Sequence, residues 1–202
     1  MSTQILLIQG PNMSYLGRRQ PELYGTTSAA QLDALLLAHA KTHKYALDIM
    51  YTHSESAAIE RLYRADDEGM DGLVMNPASF LFAGYPLRDC LRAIALPYIE
   101  VHMTNIEKRG IHSVLAETAV GMIAGFGVRS YVLGMEAMLG HLAAQPKKRK
   151  ATATTPAPAP APRKPRAQGL NGVRTGARRP KARYKPRNSC AVSNSGKPIT
   201  PE

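Results

Sequence analysis

A tyrosine and two arginines share one short stretch bounded by glycines, Gly17-Arg18-Arg19-Gln20-Pro21-Glu22-Leu23-Tyr24-Gly25. A tyrosine hydroxyl loses its proton only near pH ~10, so it is a poor base at neutral pH, and a fixed cation beside it favours the phenolate. The segment therefore holds the parts of a proton-abstracting group, and its two glycines suit the hinges of a mobile lid. Taken alone, the segment reads better as a surface loop with a packed tyrosine and solvated arginines. A second group with usable chemistry lies far along the chain, at Glu100-Val101-His102. Residues two apart on a strand share a face, so the carboxylate orients the imidazole and favours its protonated form, as a general acid requires. The plainer alternative is a hydrogen-bonded pair closing a strand end.

Both groups need a frame, and the hydrophobic pattern supplies one. Gln4–Gln9 is an apolar run that reads as a buried strand. Ser28-x-x-Gln31 is a capping box that opens a helix with Leu32, Leu35 and Leu36 on one face. The alternation then repeats, with a strand over 45–51, a helix over 56–68, a strand over 72–75 and a helix over 85–96 ended by Pro97. Tyr98–His102 is the fourth strand, and the pattern predicts a helix over 116–124, a fifth strand over 130–133 and a last helix over 135–144. Five strand-helix units imply an α/β fold, a parallel sheet with helices on both faces. In such sheets ligands bind beyond the carboxyl ends of the strands. The polar punctuation falls there: Gly10-Pro11-Asn12 after the first strand, Thr52-His53-Ser54-Glu55 after the second, Asn76-Pro77 after the third, and Glu100, His102, Thr104 and Asn105 around the end of the fourth. This convergence favours the functional reading of Tyr24 and His102.

Composition divides the chain in two. From Lys147 onward fifteen Lys and Arg face one acid, Glu202, for +14. The preceding residues carry eleven basic and fourteen acidic side chains, for −3, which together make the formal +11. Ten of the 15 prolines also lie from Pro146 onward, several in the run Pro156-Ala-Pro158-Ala-Pro160-Ala-Pro162. Such a segment lacks the apolar surface needed to offset its ordering entropy, so residues 146–202 are expected to be a disordered tail and residues 1–145 one compact domain. The sequence shows no leader pattern and no apolar run approaching ~18 residues, so a cytoplasmic protein without membrane contact is expected. The two cysteines, Cys90 and Cys190, indicate neither a disulfide framework nor a metal cluster, and Cys90 reads as a small buried hydrophobe.

Seven motifs in order carry a family likeness: Gly10-Pro11-Asn12, Leu16-Gly17, Arg19-x-Pro21-x-x-Tyr24-Gly25, Asp71-Gly72-x-Val74-x-Asn76-Pro77, Leu87-Arg88-Asp89, Pro97-x-x-Glu100-Val101-His102-x-x-Asn105-Ile106 and Gly121-x-Ile123-Ala124-Gly125. Together they resemble type II 3-dehydroquinate dehydratase over essentially the whole domain. The resemblance implies a flavodoxin-like five-stranded sheet of order 2-1-3-4-5, a dodecamer built from trimers, and anti elimination of water from 3-dehydroquinate to 3-dehydroshikimate. It implies that Tyr24 is the base, tuned by Arg19, and that Asn12 holds a water against the enolate oxygen. His102, steadied by Glu100, then protonates the departing hydroxyl. It further implies that Asn76 binds the substrate, that the backbone of Met103 and Thr104 holds its carboxylate, and that Asp89 reaches a neighbouring subunit's site. No metal or organic cofactor is required, because the ketone acidifies the neighbouring C–H and preorganised donors stabilise the enolate.

The chain departs from the family pattern around the substrate's hydroxyls. Phe82 stands where the family has a substrate-binding histidine, Ala78 where it has a glycine, and the segment after Arg109 is a few residues shorter and lacks a second arginine. Ser14, Gln20 and the order His53-Ser54 also differ. Arg109 and Arg18 are the residues available to compensate. The departures leave open a catalytically weak dehydratase-like scaffold that binds nucleic acid or another polyanion through its tail. Lys147-Lys148-Arg149-Lys150 and the Arg/Lys-Pro repeats supply the charge for such binding.

Overall fold

The computed structural model describes residues 2–145. The expectations for residues 146–202, a disordered spacer and a polyanion-binding segment, lie outside the described residues. The described chain builds one sheet from β1 (Gln4–Gln9), β2 (Ala46–Tyr51), β3 (Gly72–Asn76), β4 (Tyr98–His102) and β5 (Gly121–Ala124), all parallel, in the order β2-β1-β3-β4-β5. The expected flavodoxin-like order is thus the one observed.

Strand residues alternate between two cores. Ile5, Leu7, Val74, Ile99 and Val101 pack against Leu32, Leu36 and Ala40 of α2 (Ala29–His43) and Tyr131, Met135 and Met138 of α5 (Arg129–Ala144). On the other face Leu6, Ile8, Leu73, Met75 and Tyr98 meet Ala58, Leu62 and Ala65 of α3 (Glu55–Asp67) and Leu87, Cys90 and Leu91 of α4 (Tyr85–Ala93). Each fully buried leucine or isoleucine contributes on the order of 1.5–3 kcal/mol to this two-sided core. The capping box of α2 forms as expected: Gln31 N–H donates to Ser28 Oγ at 3.2 Å, and Ser28 N–H donates to Gln31 Oε1 at 2.8 Å. The 85–96 helix stops at Ala93, because the chain turns extended at Ile94 ahead of Pro97.

Residues 116–144 correct the sequence reading. Residues 116–118 form only a short 3-10 turn, the fifth strand is Gly121–Ala124, and residues 130–133 belong to α5. The local β-formers Tyr131 and Val132 suggested a strand, but the buried positions Ser130, Tyr131, Gly134, Met135 and Met138 recur at helical spacing, and tertiary packing overrides the propensity. A Cβ at Gly134 would lie 2.6 Å from Val101 Cγ1, so this glycine allows α5 to press directly onto β4.

Candidate active site

The register aligns Gln9 with Asn76 and His102 with Ala124, which brings the loops after β1, β3 and β4 to one edge of the sheet. The first two loops are joined. Gly10 N–H donates to the carbonyl of Asn76 at 2.8 Å, and a Cβ at Gly10 would lie 2.2 Å from the Pro77 carbonyl oxygen, a distance no side chain tolerates. Two residues on, Asn12 adopts the left-handed conformation at φ 68° and its backbone N–H donates to His53 Nδ1 at 3.3 Å. A short polar residue tolerates this conformation better than most, because its side chain bonds locally.

Tyr24 ends α1 (Pro21–Tyr24), a single helical turn. Pro21 at its first position presets φ for the helix, and Gly25 stops it at φ 79°. Arg19 precedes the turn, and its guanidinium carbon lies 5.3 Å from the centroid of the Tyr24 ring. This is within range of a cation over a π face, and it places positive charge beside the tyrosine. Arg18 does not line the cavity, whereas Arg19 does.

Below this loop, β4 aims three alternate side chains at one face. His102 Nε2 lies 2.7 Å from Glu100 Oε1, and the Tyr98 hydroxyl donates to Glu100 Oε2 at 2.8 Å. Glu100 is 0% exposed, so both carboxylate oxygens have found partners inside the protein. The Glu100 contact takes His102 Nε2, which leaves Nδ1 as the ring nitrogen free for a ligand. Burial first, and the adjacent Glu100 charge second, push the Tyr98 hydroxyl well above its ordinary range, so it stays protonated and donates to Glu100.

Asn76 reaches the cavity from the opposite face of the sheet, held by a chain of bonds. Its Oδ1 accepts from the Ala78 backbone N–H at 3.1 Å, which fixes the amide orientation. Its Nδ2 then donates to the Tyr131 hydroxyl at 2.8 Å, and Tyr131 donates onward to Gln9 Oε1 at 2.8 Å. Burial raises the Tyr131 hydroxyl above its usual range, partly offset by these two partners. Ala78 is itself left-handed at φ 48°, a region that disfavours a Cβ.

These elements enclose a cavity of about 180 Å3. Tyr24, Arg19, Asn76, His102, Met103, Thr104 and Arg109 line it. Arg109 Nη1 donates to Thr104 Oγ1 at 3.0 Å, which draws that cation onto the rim. Phe82, Leu81, Ile106 and Ile111 form an apolar wall, and Phe82 is 60% exposed. Glu100 is buried behind His102, whereas the exposed Asn12 does not line the cavity. Asp89 does not join the cavity: it sits on the exposed side of α4, 3.7 Å from Arg92 and 4.0 Å from Arg88. The sequence reading missed Tyr98, Tyr131 and Gln9. Period-two spacing points to Tyr98 from Glu100. Tyr131 and Gln9 are 122 residues apart, and nothing local links them.

A flavodoxin-like sheet with a tyrosine loop facing a histidine-carboxylate pair defines an α/β enzyme of the acid-base type. The chain belongs to the class II dehydroquinase family. Residues 3–139 match the family described as Dehydroquinase class II. The chain is 40% identical over 141 residues to a 3-dehydroquinate dehydratase of Xanthomonas oryzae pv. oryzae, covering 68% of this chain and 95% of the relative. It is 37% identical over 143 residues to that of Xylella fastidiosa, covering 69% and 97%. The type II dehydroquinase structure from Propionibacterium acnes superposes with a TM-score of 0.65 at 34% identity, covering 71% of this chain and 98% of that one.

Proposed function

We propose that the chain is a 3-dehydroquinate dehydratase, a hydro-lyase that removes water from 3-dehydroquinate to give 3-dehydroshikimate. One observation carries the reading: Tyr24 and His102 line the same cavity from different elements, and buried Glu100 occupies the far nitrogen of His102. Tyr24, with Arg19 over its ring, takes the proton from the carbon next to the ketone, and the electron pair moves into an enolate. Asn12 holds a water against the enolate oxygen. His102 delivers the proton on its cavity-facing nitrogen to the departing hydroxyl, the C–O bond breaks, the ring double bond forms, and water leaves. Base and acid act from opposite faces of the ring, as anti elimination demands.

Asn76 binds the substrate through an amide fixed by Ala78 and Tyr131, and the backbone of Met103 and Thr104 receives the carboxylate. Arg109 supplies a cation at the rim in place of the arginine the shortened segment lacks. The exposure of Asp89 outside its own cavity supports a role at a neighbouring subunit's site within a dodecamer built from trimers. All of this chemistry resides in residues 1–145.

The test is the rise of enone absorbance when purified protein meets 3-dehydroquinate, measured on the full chain and on a chain ending at residue 146. Both turn over, and Tyr24→Phe in either loses at least 1000-fold in kcat, on the order expected for removal of an essential base. A well-folded wild-type sample that forms no product refutes the proposal.

A further inference from the structure

The face of β4 that carries His102 holds one residue that the acid-base chemistry leaves unused. Tyr98 is 1% exposed, and its ring lies in the apolar cluster with Leu87, Cys90 and Leu91 of α4. Only its hydroxyl is polar, and that hydroxyl donates to Glu100 Oε2 at 2.8 Å, while Glu100 Oε1 meets His102 Nε2 at 2.7 Å. A carboxylate at 0% exposure has no water to turn to, so each oxygen needs a donor from the protein. Tyrosine is well suited here, since its stem fills an apolar pocket and its tip is a donor whose own ionisation is suppressed.

We propose that Tyr98 is a positioning residue for the proton donor: its hydroxyl holds the second oxygen of Glu100, so that the charged carboxylate stays aimed at His102. This deepens the dehydratase reading and rests on His102 as the general acid. The other titratable groups around the relay are Cys90, whose thiol burial pushes up and keeps neutral, and, from the cavity side, Arg19, Tyr24 and Arg109. None of these bonds to Glu100.

Removing the hydroxyl has a definite consequence. Glu100 then has one unpaired oxygen, and the proton shared by the pair sits more often on the carboxyl and less often on the imidazole. The fraction of enzyme ready to protonate the leaving group falls. The fully deprotonated pair, with a bare buried carboxylate, is destabilised most, so the pair releases its proton at higher pH.

The experiment is the pH dependence of kcat and KM for Tyr98→Phe, Glu100→Gln and the double variant. Tyr98→Phe is expected to lower the kcat plateau about tenfold with KM within twofold, and to move the alkaline limb to higher pH. On the Glu100→Gln background the same change is expected to alter kcat less than twofold, because its partner is gone. A plateau and limb equal to wild type, or the same tenfold factor on both backgrounds, overturns the proposal, since a mere packing role is additive. If wild-type protein does not turn over 3-dehydroquinate, the dehydratase reading fails separately. The imidazole titration followed by NMR in wild type and Tyr98→Phe then decides the matter: an upward displacement supports the Tyr98 relay, and superposed curves overturn it. Should Tyr98→Phe not fold, an isotope-labelled Tyr98 ring in the wild-type protein reports the coupling. A ring shift that follows the imidazole titration supports the relay, and a flat one overturns it.

Discussion

Restoring a hydrogen-bonding side chain to the apolar wall should sharpen substrate recognition without touching the chemistry, and Phe82→His is the substitution to make. Phe82 is 60% exposed at the mouth of the cavity, so its replacement gives up little buried area and leaves stability within about 0.5 kcal/mol. Phe82, Leu81 and Ile111 carry no hydrogen-bonding side chain, so a substrate hydroxyl turned toward them gains no side-chain partner. An imidazole there supplies a neutral hydrogen bond of about 0.5–1.5 kcal/mol and relieves part of the desolvation penalty, which together make about 1.4 kcal/mol, or roughly tenfold in kcat/KM. The new contact lies away from Tyr24 and His102, so ground state and transition state gain equally. KM should fall about tenfold while kcat stays within twofold. Steady-state kinetics on 3-dehydroquinate, with thermal unfolding as a control, measures this. An unchanged or raised KM in a protein that melts with the wild type shows that no hydroxyl faces this wall.

Ala78→Gly should stabilise the fold by about 0.5–1 kcal/mol, because the left-handed φ of 48° strains alanine more than the added unfolded-state freedom of glycine costs. Denaturant titration reads the gain, and equal midpoints would show that the loop has already relaxed. Tyr131→Phe should cost about 1–3 kcal/mol by leaving Gln9 Oε1 and Asn76 Nδ2 unpaired in the interior, and should raise KM as the Asn76 amide loses its anchor. A loss of stability with unchanged KM would separate Asn76 from substrate binding. His39 titrates below its ordinary 6.5, chiefly through burial and secondarily through the charge of His43, with Glu136 opposing. The unfolded chain therefore takes up this proton first as pH falls, so the stability contributed by His39 is present above about 6.5 and is lost as pH drops through the lower folded value. Unfolding free energies from pH 8 downward should decline more steeply in wild type than in His39→Gln, and parallel slopes would rule the mechanism out.

The first four strands were legible because each is rich in aliphatic or aromatic residues and bounded by turn residues, and polar residues gather at their carboxyl ends. Tyr24, Asn76 and His102 could be assembled from those ends, because a parallel sheet delivers its loops to one edge. The fifth strand was not legible. Gly121–Ala124 is only four residues long, while Tyr131 and Val132 in α5 carry stronger local β signals, and only packing on Val101 and Val74 decides between them. That same misreading hid Tyr131, which anchors Asn76 only when it lies on a helix above the sheet. Tyr98 was hidden differently. It reads as an ordinary strand aromatic until the 2.8 Å bond to Glu100 gives its hydroxyl a task.

The contact of Gly10 with the Pro77 carbonyl has a mechanical meaning. It clamps the loops carrying Asn12 and Asn76 into one rigid jaw, and β4 sets His102 in the same solid. The tyrosine segment lies outside that jaw, between two left-handed glycines, Gly17 at φ 80° and Gly25 at φ 79°. Phe82 follows Pro77 on the clamped loop, so a substitution there changes the cavity wall without altering the segment that carries Tyr24.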